Sequence, residues 1–571
     1  MKTLSRQQLI RITPNWVLRI ITHTTRSEKI LLGVFLTALI ISALFSVVGL
    51  VQRWTTLLPQ QGGIYREAAV GQPRSLNPIL TSGSDIDADI IHLIYSSLFK
   101  LDSNLELQPD LAESYEVSQD RRQYTIKLKS GITWHDGQPF TADDVIFTIA
   151  SIQTPDYNSP LLSQFQGVTV NKVDDSTVTF TLKEPYTPFP ISLTTKIIPQ
   201  HVWENIAPRT AALSEQNLKP IGTGPFKFTE LITRRRSGDI TSIRLRRNDS
   251  FYAQPPYLDE INFNFFSTHD EAQQALNASQ ADGLGFVPLQ IFDQLKNRAR
   301  VSTHRLLLPQ YFALFFNQNK NDLLNNTGLR NSLALAIDRQ AIVDEALQGQ
   351  GEPLHLPIPH GLFGQRDDLA GTYDPAAAKQ NLEEDGWQDV DGDGIREKDN
   401  QRLHLKITTT DWPEYVRTAE IIQQQWQAIG VETNIEHLGA GTIQQTVVGP
   451  RDYEILLFGE ILPADPDPYP FWHSTQTKAP GLNLSLFQDK EVDKLLEEAR
   501  QAGSEDERAA KYHDFQGKIF DLKPAIILYQ PYYLFSTNSK VRGINVSQAA
   551  LPAQRFNNIS DWHVRTKRVW K

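Results

Sequence analysis

The longest uninterrupted apolar run in the chain is residues 30–51, ILLGVFLTALIISALFSVVGLV, 22 positions without a charge. As a helix it reaches about 33 Å, enough to cross the hydrocarbon core of a membrane. It is longer than the apolar stretch of a cleaved leader, and no small-x-small site follows it, so it predicts an uncleaved anchor. Beyond it the pattern becomes that of a globular protein. Residues 105–137 alternate apolar and polar positions as paired strands do, and 168–173 with 177–182 read as a hairpin turning at Asp174-Asp175. Residues 89–101 carry apolar side chains at helical spacing and predict a buried helix. A second helix is predicted over 141–152, where Thr141 and Asp144 form a capping-box pattern ahead of Val145, Ile146, Phe147 and Ile149. From residue 310 strands and helices alternate. A near-continuous apolar strand at 311–320 precedes a helix across 327–347, and Asp374-Pro375 opens another helix that Gly386 ends. Strands at 403–409 and 431–438 then flank a helix at 413–429, and the alternation predicts an α/β architecture.

Composition narrows this picture. At 571 residues the chain is too long for one simple core, so two or three lobes are expected. The absence of cysteine excludes disulfides, thiolate metal sites and a cysteine nucleophile. It also excludes a lipid-modified cysteine as the tether. Residues 1–51 hold six Lys/Arg against Glu28 alone, so with −10 overall the other 520 residues carry −15. The basic end predicts a cytoplasmic N-terminus and an extracytoplasmic body, a single-pass protein of the plasma membrane, with Trp54 at the interface. An acidic body argues against a nucleic-acid partner.

Candidate chemistry is sparse. Asp143 and Asp144 read as helix-capping acids rather than an acid/base pair, since nothing local supplies a pocket. Ser97-Leu98-Phe99-Lys100 matches S-x-x-K, but its S-D-N and K-T-G companions are missing from the chain. The glycines of 220–228, PIGTGPFKF, lack the Lys-Ser/Thr of a phosphate loop. Residues 389–400, DVDGDGIREKDN, imitate a calcium loop through Asp389, Asp391, Asp393 and Gly394. Their twelfth position is Asn400 rather than glutamate, so a solvated acidic turn is the expectation. The arginines at 234–236, 244, 246 and 247 read as a solvated hairpin, with lipid contact as the alternative. No G-x-S-x-G or H-E-x-x-H is present and the thirteen histidines show no metal-ligand spacing. No enzyme, cofactor or metal is predicted.

Two stretches carry a resemblance. Residues 130–152, SGITWHDGQPFTADDVIFTIASI, and 453–500, with DPDPYPFW at 465–472 and NLS ahead of EVDKLLEEAR, are similar to segments of the family 5 extracellular solute-binding proteins. These are the dipeptide- and oligopeptide-binding subunits of ABC importers. SLNP at 75–78, PDLAES at 109–114, GTGP at 222–225 and AIDR at 336–339 extend the similarity over about residues 62–535.

The resemblance implies a periplasmic-binding-protein-like fold of type II, two α/β lobes joined by a hinge plus a small inserted lobe. The expected organisation is a basic N-terminus at 1–29, an anchor at 30–51 and a linker at 52–61. Lobe I then occupies 62–95 and 219–309, the inserted lobe 96–218 and lobe II 310–529, with a return to lobe I and a tail at 530–571. It further implies that backbone at Ser82, Gly83 and Ser84 meets an extended ligand from one side and the strand end at Phe458-Gly459 from the other. The family aspartate that holds a peptide's α-ammonium falls at Leu462 here, leaving Glu460 and Asp465 as its candidate replacements. Phe471 and Trp472 either line the pocket or pack. The expected function is capture of a peptide, or of another small solute such as an oligosaccharide or metal complex, in the interlobe cleft, and delivery to an ABC permease. A ligand sensor and an anchored hydrolase are the competing classes. Only 29 residues precede the anchor, too few for a signalling domain, so a sensor would need a partner subunit.

Overall fold

A computed structural model describes residues 25–571 apart from 81 and 82. The expected basic N-terminal segment therefore falls mostly outside the described residues. Two compact units result, one of residues up to Gln60 together with Arg565–Lys571, the other Gln61–Val564.

In the first unit the apolar run forms a helix, Arg26–Trp54, opened by a capping box in which Thr25 N donates to Glu28 Oε2 at 2.7 Å. Its described apolar side chains are exposed around the helix, and its most apolar window has a mean hydropathy of 2.6. Length and composition suffice to cross a membrane. The expected linker at 52–61 is different in kind. Residues 52–54 continue the helix, and Thr55–Gln60 is a strand paired antiparallel with Arg565–Trp570, from Thr55↔Trp570 to Gln60↔Arg565. Its partner lies some 500 residues away, so no local pattern announces the pairing.

The second unit is built on one mixed sheet. Its order runs Glu432–Leu438, His404–Thr410, Ile455–Ile461, Gln310–Phe316, Ala525–Asn538, Gly283–Leu284, Ile64–Val70, Glu260–Phe266, Ile240–Arg247, Phe226–Thr233. Ala525–Asn538, the long strand, belongs to both halves. Its first residues pair with Gln310–Phe316 and its last seven with Val301–Leu307. This continuous strand joins a first lobe around Ile64–Val70 to a second around Gln310–Phe316.

Strand Gln310–Phe316 explains its own unbroken apolar run. Phe312, Leu314 and Phe316 enter the core beneath helices Arg339–Ala346 and Pro413–Gln427. Tyr311, Ala313 and Phe315 enter the core beneath Lys490–Gln501 and Glu505–Leu522. The predicted helix over 327–347 is two helices, Thr327–Leu335 and Arg339–Ala346. Asp338 breaks it by capping the second, accepting from Ala341 N at 3.0 Å. The predicted helix at 89–101 likewise ends early. Asp85–Ile94 is helical, and Phe99–Leu101 is a strand. Gly224 N takes the Ile94 carbonyl at 2.7 Å, and a Cβ at Gly222 would sit 1.9 Å from that oxygen. The glycines of the GTGP segment thus permit a close approach to the helix end.

Residues between these segments fold as a small antiparallel sheet, Ala112–Val117, Gln123–Leu128, Thr177–Thr181 and Thr169–Asp174, packed with helix Ala142–Gln153. Asp144 caps that helix, accepting from Thr141 N at 2.9 Å, from Gln200 N at 2.9 Å and from Trp134 Nε1 at 3.2 Å. Asp143 pairs with Lys172 at 2.8 Å. Both acids are engaged by the fold around them.

Candidate functional site

Where the long strand passes between the lobes, a cavity of about 230 Å³ opens on it. Phe286 reaches it from the first lobe. Phe312, Trp412 and Tyr415 reach it from the second, and Tyr529 and Tyr532 from the long strand itself. Local sequence sets these positions. Trp412 stands just ahead of Pro413, the first residue of helix Pro413–Gln427, and so stays 44% exposed instead of packing on the helix. Phe312 stacks on Tyr529 with centroids 5.3 Å apart and tilts against Tyr415 at 4.8 Å. Gly459 on the neighbouring strand allows this, since a Cβ there would meet the Phe312 ring at 2.7 Å. Apart from the hydroxyls of Tyr415, Tyr529, Tyr532 and Tyr533, the polar side chains lining it among the described residues are Gln310, Gln350 and one carboxylate, the half-buried Glu414. An apolar hollow with a few convergent polar groups, shared by two lobes, is the form of a small-solute site.

The residues expected from the sequence occupy several places. Ser82 lies outside the described residues. Gly83 and Ser84 border a separate hollow of about 840 Å³ with Arg74, Asp85 and Asp87, where Ser84 caps helix Asp85–Ile94 by accepting from Asp87 N at 3.2 Å. Phe458 is half-buried against the second lobe's core, while Gly459 adjoins the aromatic cavity through Phe312. Glu460 is 5% exposed and accepts from the Tyr311 hydroxyl; its other oxygen is buried without a partner among the described residues. Burial pushes its carboxyl up to about 8. Asp465 receives both terminal nitrogens of Arg508, one at 2.9 Å, so its charge is already matched. Trp472 is 1% exposed, edge-on to Phe515 in the core, and Leu462 is buried there too. The proline-rich loop is therefore a clasp. Asp465 ties it to helix Glu505–Leu522, and Asp467 ties it to Arg500 at 2.7 Å and to Tyr186 of the inserted lobe at 3.1 Å.

In the acidic turn Asp389 accepts from Gly392 N and Gly394 N at 2.8 and 3.0 Å, and Asp393 pairs with Arg402 at 2.7 Å. Carboxylate oxygens of Asp389, Asp391 and Glu397 lie within 4.8 Å of one another. Short strands, Glu397–Lys398 and Gln401–Arg402, follow the turn.

Sequence reasoning missed Phe286, Phe312, Trp412, Glu414, Tyr415 and Tyr532. The available signal was slight, an aromatic residue just outside a helix start. The aromatics on strands read as ordinary core.

Two lobes crossed by a shared strand, with a hollow between them, define the class of type II periplasmic binding proteins. A family profile described as bacterial extracellular solute-binding proteins, family 5, matches residues 106–483, and the chain belongs to that family. It is 30% identical over 517 residues to the oligopeptide-binding protein AppA of Bacillus subtilis (strain 168), covering 88% of this chain and 92% of the relative. The solved structure of B. subtilis AppA in complex with a nonapeptide aligns with a TM-score of 0.70 at 29% identity, over 89% of this chain and all of that one. NikZ from Campylobacter jejuni, solved in complex with Ni(L-His), aligns with a TM-score of 0.71 at 27% identity, over 88% and 99%. The family is one of substrate-binding proteins rather than enzymes.

Proposed function

We propose that this chain captures peptides in the cleft between its lobes and delivers them to an ABC permease, held at the membrane by helix Arg26–Trp54 with its N-terminus in the cytoplasm. The observation that carries the reading is the aromatic cavity on the long strand, with Glu414 as its one carboxylate. Flat apolar walls accept varied side chains, and water in the remaining space tolerates differences among them. Glu414 takes the part of cation partner that Glu460 and Asp465 were expected to fill. Asp465 is neutralised by Arg508, and Glu460 is enclosed beside Tyr311. Closure of the lobes around a bound solute would exclude water and strengthen these contacts. Similarity to the AppA complex with a nonapeptide supports a peptide. Similarity to NikZ with Ni(L-His) supports a second reading, a small metal chelate, for which the cavity offers no histidine.

Native mass spectrometry of the full chain, gently purified in detergent, tests this. A ladder of short peptide masses released from the protein is the expected result. A single non-peptide mass would overturn the peptide reading while leaving the solute-binding role intact. Co-purification with permease subunits tests delivery, and protease protection of the N-terminal segment in sealed vesicles tests the topology.

A further inference from the structure

A second cavity, of about 370 Å³, lies away from the cleft, where the long strand begins at Ala525. Ala525 pairs with Phe315, at the opposite end of strand Gln310–Phe316 from Gln310 in the cleft. Three basic side chains line it, beside the amides of Asn331 and Asn381: Arg339, which begins helix Arg339–Ala346, Lys523, which follows helix Glu505–Leu522, and His355. Among the described residues no aspartate or glutamate lines it. Arg339 is 8% exposed, and its Nε donates to the Ile527 carbonyl at 2.7 Å. Its two terminal nitrogens have no partner among the described residues. Lys523 Nζ donates to the Phe520 carbonyl and lies 3.6 Å from the centre of the Phe520 ring, without a carboxylate partner, and His355 Nδ1 is buried with no partner among the described residues.

Gly371 brings two of these groups to one space. A Cβ there would lie 3.0 Å from His355 Nδ1 and 3.6 Å from Arg339 Nη1. With hydrogen in place of a side chain, both nitrogens face the same empty volume.

Burying positive charge without a counter-charge is strongly unfavourable. The protonation of the three groups records it. Burial, reinforced by Arg339, holds Lys523 down to about 8 and His355 down to about 4, and burial lowers Arg339 itself to about 10. Asp521 acts on Lys523 from a distance but forms no ion pair with it. Arg330, next to this corner, gives its guanidinium to carbonyls of Leu324, Leu522 and Lys523 and to Thr327, so it too brings positive charge and no acid. Planar guanidinium and ammonium donors around an acid-free hollow match an oxyanion, which accepts several hydrogen bonds at once.

We propose that this cavity binds a small dianionic oxyanion, a phosphate or a dicarboxylate, between Arg339 and Lys523 with His355 donating from Nδ1. The site is separate from the solute cleft, so its occupancy does not depend on which solute the cleft takes.

Thermal melting of the full chain in detergent tests it, with inorganic phosphate or succinate titrated against sodium chloride at matched ionic strength. The expected result is a saturable rise of roughly 2 °C or more with one or both anions. The anion that acts names the head group. Arg339→Gln, Lys523→Gln and Gly371→Val should each abolish the rise. Gly371→Val is the sharpest, because it fills the space and leaves every cation in place; if it does not fold, the two glutamine variants decide. A response no different from chloride, or a saturable rise retained in the folded variants, overturns the proposal.

Discussion

Two buried arginines in this protein meet opposite surroundings. Arg555, 1% exposed in the first lobe, is held by Asp89 at 2.5 Å through both terminal nitrogens and by Glu67 at 2.9 Å; Glu67 in turn accepts from Tyr65. Its charge is more than matched. Burial pushes Asp89 up to about 6, so a proton relieves the surplus negative charge only as the pH falls towards that value. Arg339 in the second lobe is nearly as buried but faces a lysine, a histidine and an empty volume. The first arrangement is complete by itself and serves the fold. The second is incomplete without something from solution. Glu460 shows a third response, since a buried carboxylate beside Tyr311 can become neutral by taking a proton. Arginine has no such route at physiological pH.

Substitution can break this comparison, beginning with the largest effect. Arg555→Met leaves two carboxylates buried without their cation and should destabilise the chain by about 3–5 kcal/mol in urea unfolding. Restoring neutrality with Glu67→Gln and Asp89→Asn in the same chain should recover part of that loss. A loss below about 1 kcal/mol for the single variant would mean that the network is no more structural than Arg339.

Glu414→Gln extends the comparison to a carboxylate open to the cleft. It should weaken a cationic or amine-bearing solute by about 1.5–3 kcal/mol, roughly tenfold or more, in calorimetric titration, with the melting temperature nearly unchanged. Equal affinity in both proteins would move the cation partner elsewhere.

Glu460 sharpens the comparison through pH. Its carboxyl is raised from 4.5 to about 8, so between those values the folded chain holds a proton that the unfolded chain has lost. The stabilisation is complete below about 4.5 and fades as pH rises towards 8, at about 1.4 kcal/mol per pH unit. Urea midpoints of the parent and Glu460→Gln should therefore diverge across this window. Parallel curves would show that Glu460 titrates alike in both states.

Arg339→Met should have the smallest effect, within about 1 kcal/mol in buffer free of multivalent anions. It removes an unpaired charge while losing one hydrogen bond to Ile527. A loss as large as that from Arg555→Met would place Arg339 among the structural arginines.

Much of the architecture follows from short-range information that the amino-acid sequence carries by itself. The 22 apolar residues at 30–51 require a long exposed-apolar helix, and Thr141 with Asp144 starts a helix in its predicted place. The two strands and one helix between residues 403 and 438 are set by periodicity and by Pro413 at the helix start, and the stretches at 130–152 and 453–500 carry the resemblance to the family whose profile matches residues 106–483. These signals operate within a few residues, so no partner is needed to read them. Tertiary structure decided the rest, because the relevant contacts join distant parts of the chain. Residues 55–60 look like a linker until Arg565–Trp570 pairs with them, and the helix begun at Asp85 stops where Gly224 takes the Ile94 carbonyl. Gly283 is a glycine because a Cβ would stand 1.8 Å from the Tyr65 hydroxyl, on a strand more than 200 residues away. Asp465 reads in sequence as a candidate ammonium partner and is bound by Arg508, whereas Arg339 reads only as the end of the AIDR motif and is enclosed with no acid partner among the described residues. Charge is written in the sequence; its compensation depends on which side chains folding brings within reach.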